Sequence, residues 1–305
     1  MDKKKVTTFL LITFILAWTL EIAASLYAVQ NPGAAGTNVF RTSLMVLMYT
    51  PFVAALIVNK GLKGFGWKPK FKGFAWVLLV CYIGPQIMAL VGAALFYGIF
   101  PDMLDFTGSY LRVQGEQMGV DLIAQLESQG MSLQTYYVVT LLAALFYAPL
   151  INMLLALGEE VGWRGFLYPE LNKKFGRVTT WVIGGIIWAA FHYPVIILAG
   201  YEYGTDYPGF PVVGILIFTL WCILLGMFEE MVYSKTKCIW YPALLHGAIN
   251  AGAFVIQVMN AENPKAGQLM ILGPGTNGLI SMLPTLVLAI IVGGIVISKQ
   301  KGKQV

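Results

Sequence analysis

The chain has 305 residues, of which 58% are hydrophobic and only 11% charged, with a mean hydropathy of +0.72 and a formal charge of +5. Soluble domains carry about 25% charged residues, so this composition excludes a globular protein that covers itself in water. With no soluble basic domain to carry it, the positive balance does not read as nucleic-acid binding either.

Apolar runs of about 20 residues, the length a helix needs to cross about 30 Å of hydrocarbon, predict an all-α polytopic membrane protein. About eight transmembrane helices are expected, enclosing an intramembrane polar cavity within a single domain over 1–305. The spans fall at 6–29, 42–58, 74–100, 135–157, 178–200, 212–228, 240–259 and 279–298. These runs are continuous rather than alternating, and an open sheet edge cannot be satisfied in lipid. The first follows the basic start Lys3-Lys4-Lys5 and is too long for a cleaved signal, so it reads as a retained anchor. It also contains Glu21, taken here as structural. The longest external segment, 101–134, carries Met118, Leu122 and Leu126 at helical spacing, which fits either a short helix on the membrane surface or a plain loop.

Of the 20 Lys and Arg residues, all but Arg41, Arg112 and Lys265 fall on one side of these spans, from Lys3 through Arg164 and Arg177 to Lys303. Basic loops stay cytoplasmic, so both termini are expected in the cytoplasm, around a bundle in the plasma membrane. Cys81, Cys222 and Cys238 show no CxxC spacing, which argues against a disulfide framework.

Ionisable groups inside a membrane are costly and usually functional. The fourth span ends in Gly158-Glu159-Glu160-Val161-Gly162-Trp163-Arg164. Glu160 and Arg164 are i,i+4 neighbours and can pair. Glu159 is rotated about 100° away, free to act as a base toward water; a charged helix end in the cytoplasm is the plainer alternative. The only two histidines, His192 and His246, lie in the fifth and seventh spans. His246 and Asn250 share a helix face at i,i+4. Pro194 removes the helical bond to the carbonyl of Ala190 and can kink the helix beside His192.

Converging helices would then unite carboxylates, imidazoles and an amide, the groups that peptide hydrolysis needs to deprotonate water and hold an oxyanion. The depths are in tension. Glu159 is drawn at the cytoplasmic boundary, whereas His192 lies about 15 residues past Arg177, roughly 22 Å along a helix. A shared site requires the fourth helix to run deeper or the fifth span to begin with an interfacial turn. Glu229-Glu230 repeats the carboxylate pair with Ser234 in the arginine position, and reads as a solvated helix end. Trp163, Tyr168 and Tyr193 read equally as interface anchors or substrate contacts.

At these residues the sequence resembles a known family. Glu159-Glu160-x-x-x-Arg164, Trp188-x-x-x-His192 and His246-x-x-x-Asn250 look like the three motifs of the type II CAAX prenyl proteases, within the wider CPBP group of CAAX proteases and bacteriocin-processing enzymes. Trp188 stands where the family usually has Phe, which reads as a conservative exchange. The resemblance implies an intramembrane endopeptidase with a catalytic core at about 135–259. Glu159 would be the base, His192 its partner and His246 with Asn250 the oxyanion side, supported by Glu160 and Arg164. It implies a membrane-bound peptide or lipidated protein as substrate, a prenylated CAAX tail being one candidate. A site without metal is expected. The alternative is zinc held by Glu159, His192 and His246, three ligands with a fourth position open. Two other readings stand beside it: a non-catalytic immunity or scaffold protein that binds a peptide, and a proton- or metal-coupled transporter, against which the lack of repeat halves counts.

Overall fold

The computed structural model describes residues 1–301, so Lys303, counted above toward a cytoplasmic C-terminus, lies outside the described residues. The chain is helical throughout the described residues, with an isolated bridge between Leu104 and Met259 and no named strand. In order the helices are α1 (Lys3–Gln30), α2 (Ala34–Leu47), α3 (Thr50–Asn59), α4 (Ala75–Ile99), α5 (Ser109–Met118), α6 (Leu122–Ser128), α7 (Leu133–Phe146) and α8 (Ala148–Gly162). Then follow α9 (Tyr168–Phe175), α10 (Arg177–Phe191), α11 (Tyr193–Ala199), α12 (Val212–Thr236), α13 (Trp240–Ala251), α14 (Ala266–Leu269) and α15 (Leu283–Lys301).

Each of the eight expected spans has a helical counterpart, but not all are single rods. Four segments are long and apolar enough to cross a bilayer: Lys3–Gln30, Ala34–Asn59 (α2 followed by α3), Ala75–Ile99 and Val212–Thr236. Two more qualify as bent pairs, α7 with α8–α9 at 54° and α10 with α11 at 42°. The seventh and eighth are shorter: α13, extended by a 3-10 stretch over Gly252–Val258, and α15. The outward faces carry large apolar side chains such as Ile15, Leu79, Phe146 and Ile290, each more than half exposed. Buried polar groups lie within. That inversion suits a lipid solvent, where backbone and polar groups must be satisfied internally.

Both bends follow from proline. Pro149 opens α8 and Pro194 opens α11, and neither has an N–H to continue the preceding helix. The carbonyl of Ala190 that Pro194 leaves without its helical donor receives the Trp18 indole N–H from α1 at 3.1 Å. The break thus costs no unpaired carbonyl and places His192 at the corner.

The expected end of the fourth span was too early. Past Leu157 the chain stays helical through α8, a π turn at Trp163–Leu167 and α9, and residues 158–164 are all buried. π turns inside helices are frequent at functional sites. Glu159 is therefore interior, which removes the mismatch in depth with His192. Likewise α12 continues to Thr236 rather than stopping at Phe228, carrying Glu229 and Glu230 inside.

Two glycines set how closely the site helices meet. A Cβ on Gly158 would lie 2.5 Å from the Met48 carbonyl oxygen, and one on Gly247 would lie 2.3 Å from the Met153 backbone nitrogen. Small residues let backbones touch in this way. Gly247 follows His246 and seats α13 on α8, the helix that bears Glu159, while Gly158 seats α8 on Met48 between α2 and α3. The 101–134 segment forms α5 and α6, separated by Gly119 in the left-handed region, rather than one helix through Met118, Leu122 and Leu126.

Candidate active site

Glu159, His192, His246 and Asn250 line one cavity of about 290 Å³, together with Trp188, Arg41 and Glu202. The helices that supply the first four are α8, the α10–α11 corner and α13. Glu159 is 2% exposed, His246 5% and His192 9%, whereas Asn250 is exposed in the lining, close to the end of α13.

The carboxylate of Glu159 is held from one side only. Its Oε2 accepts the Trp188 indole N–H at 2.6 Å and the Trp163 indole N–H at 3.1 Å. No hydrogen bond within the described residues reaches Oε1. Trp188 is therefore more than a large aromatic in place of Phe, because a phenyl ring cannot make the 2.6 Å donation. The reading of that exchange as conservative is overturned. Trp163 and Tyr168 are core residues, 0% and 1% exposed, rather than interface anchors. Tyr193 is half-buried with its hydroxyl on Thr219 at 3.0 Å.

Glu160 and Arg164 pair as their spacing predicts, with Nη1 donating to Oε1 at 2.8 Å, but the pair is part of a larger cluster. His246 Nδ1 lies 2.8 Å from the same Glu160 oxygen. Arg164 Nη2 pairs with Glu229, whose other oxygen is 3.9 Å from His246 Nδ1. Arg164 is fully buried, its guanidinium lying 4.1 Å from the Trp188 ring centre and 5.0 Å from that of Tyr168. It is an internal counterion and does not belong among the loop charges counted toward the orientation.

The pair Glu229-Glu230 is a second correction. Both are buried, at 0% and 5% exposure, so they are not a solvated helix end. Glu230 accepts from Arg177 Nε at 2.7 Å and from the Trp181 indole at 2.7 Å, with the Ser234 hydroxyl also donating to it. Their cations come from other helices, so the arginine absent at Ser234 was the wrong signal to look for. Glu21, read as structural, is 1% exposed with Oε1 3.7 Å from His192 Nδ1.

The zinc alternative meets a different geometry. Within the described residues, the donors that gather within 4.8 Å of one another belong to Glu160, Glu229 and His246, not to Glu159, His192 and His246. The Arg164 guanidinium already pairs with both carboxylates of that trio. A dication placed there would face a permanent positive charge at close range, so these residues do not fit zinc. The three cysteines are free and buried.

Comparison with known proteins bears on the same stretch. No curated protein matches the chain. Residues 135–252 match the family model described as type II CAAX prenyl endopeptidase Rce1-like. The matched segment contains Glu159, Glu160, Arg164, Trp188, His192, His246 and Asn250. Over residues 135–252 the chain is thus similar to the Rce1-like type II CAAX prenyl endopeptidases.

Proposed function

We propose that the protein is an intramembrane endopeptidase in which Glu159 and His192 activate a water and His246 with Asn250 binds the oxyanion. One observation carries the reading: these four side chains, from three spans, line a single cavity. Helices α7 to α13 are its catalytic core. The substrate is a membrane-bound peptide or lipidated protein. The bundle sits in the plasma membrane with both termini cytoplasmic.

In this reading the peptide carbonyl enters beside Glu159 Oε1. Glu159 takes a proton from water as the water oxygen bonds the carbonyl carbon. The proton then passes to the leaving nitrogen as the carbon–nitrogen bond breaks. The two indole donors on Oε2 keep the other oxygen aimed at the water, the kind of orientation on which general-base catalysis of about 10²–10⁴-fold depends. As the imidazolium, His246 gives Nδ1–H to Glu160 and keeps Nε2–H for the oxyanion, beside the Asn250 amide. Removing one such donor typically costs about 10²–10³ in rate. Arg164, Glu160 and Glu229 hold the imidazole in place.

The test compares new peptide termini by quantitative mass spectrometry in membranes carrying the wild type or Glu159→Gln at matched expression. Gln keeps an oxygen for the two indoles but cannot take the proton. Termini that disappear in the variant support the peptidase and name its substrate. Identical termini, with candidate substrates present, would move the reading to a peptide-binding protein without catalysis.

A further inference from the structure

The proposed mechanism gives the first span no part, yet α1 reaches the site at two points one helical turn apart. Trp18 donates to Ala190 at the break before His192, and Glu21, three residues on, points to the His192 ring. Glu21 is the only carboxylate in α1. Both of its oxygens are buried without a hydrogen-bond partner among the described residues, and so is His192 Nδ1. Burying a carboxylate costs several kcal/mol unless it is paired, and Nδ1, 3.7 Å from Oε1, is within reach. That separation exceeds a hydrogen bond by about 0.5 Å.

The imidazole itself has little freedom. It lies nearly parallel to Tyr201, at 25° and 5.8 Å, with Phe191 and Phe218 edge-on at 4.8 and 5.5 Å. These rings fix its plane but offer no strong acceptor, so they cannot choose which nitrogen holds the proton. A carboxylate can, because the partner of one ring nitrogen sets the state of the other.

We infer that Glu21 is a positioning residue: its carboxylate accepts Nδ1–H of His192, leaving Nε2 free to accept a hydrogen bond in the cavity. The first span is then part of the catalytic apparatus rather than only an anchor. The inference rests on the proposed peptidase reading for its consequence, but its geometry is testable without any substrate.

The experiment uses the full-length protein in nanodiscs with ¹⁵N-labelled histidine. With only two histidines in the chain, a His246→Asn sample assigns the His192 signals. Nitrogen spectra then report which ring nitrogen is protonated in the wild type and in Glu21→Leu and Glu21→Gln. The expected result is a protonated Nδ1 in the wild type that is lost or mixed in both variants. With substrate in hand, kcat falls about 10- to 100-fold while KM stays within about twofold, and Glu21→Asp recovers part of the loss. Leu suits an apolar helix, so a variant that folds is at hand even if Gln does not. An unprotonated Nδ1 in the wild type, or spectra unchanged in the variants, overturns the inference whatever the activity does. If the wild type turns out not to cleave peptides, the spectra still decide the pairing and only the kinetic arm falls silent.

Discussion

Replacing Arg164 by Met removes the one permanent cation from a cluster that holds Glu160, Glu229 and His246 within hydrogen-bonding or near-contact range. Glu160 keeps a partner, because His246 Nδ1 remains 2.8 Å away. Glu229 does not: its nearest other cation is the same imidazole, at 3.9 Å and already engaged. Breaking a buried ion pair so that one charge is left alone costs about 3–5 kcal/mol, or roughly 10²–10⁴ in the ratio of folded to unfolded protein. The lost stacking over Trp188 adds a smaller amount. If the penalty is an uncompensated Glu229, then adding Glu229→Gln removes the orphan charge and recovers more than half of it. The assay is the melting midpoint in detergent, followed by fluorescence-detected size exclusion, for the wild type, the single variant and the double variant. Arg164→Met melting with the wild type would refute the charge argument. So would a double variant no better than the single, which would assign the loss to packing alone. Neighbouring sites are not additive, and the direction of the recovery is therefore the decisive quantity.

Three further outcomes are expected. Trp188→Phe keeps a ring over Arg164 but loses the 2.6 Å donation to Glu159. Hydrogen bonds to charged groups contribute about 1.5–3 kcal/mol, so steady-state kinetics should show kcat down roughly 10- to 100-fold and the melting midpoint should fall as well. Gly247→Ala places a Cβ 2.3 Å from the Met153 nitrogen and pushes α13 off α8; activity measured beside melting should fall by about 100-fold, as a displacement of about 1 Å at a catalytic group can cost. In the 101–134 segment, burial alone would raise the Asp105 carboxyl, but hydrogen bonds from Ser109 and Thr107 outweigh it and hold it down to about 2. Its folded value lies below the unfolded one of about 3.9. The stability it contributes is therefore full above about pH 4 and lost as pH falls from there toward 2. Amide exchange at Thr107 and Ser109 should stay protected above about pH 4 and lose protection progressively as pH falls toward 2.

Much of the candidate site was legible because a membrane makes polar residues conspicuous. In an apolar run, His192, His246 and the Glu159-Glu160 pair stand out individually, and i,i+4 geometry foretells the Glu160–Arg164 contact found at 2.8 Å. What failed were inferences that needed a partner from another helix. Glu229 and Glu230 were judged by the residue four positions on in their own helix, while their cations are Arg164 and Arg177. Trp188 was weighed by size, although its N–H matters because Glu159 on α8 faces it. Glu21 could be seen as an intramembrane acid, but nothing in its own span names His192.

Sequence alone settled the class of molecule and the order of its apolar segments, because a crossing helix must be about 20 apolar residues long and that requirement is local. It also placed the break at Pro194, since a missing N–H is a property of the residue itself. Only the tertiary structure decided which carboxylate meets which cation, how far the helix bearing Glu159 continues, and that α1 closes on the His192 corner. Those outcomes depend on the rotation and approach of helices far apart in the chain, down to glycine contacts that admit no Cβ, and no periodicity within a single segment encodes them.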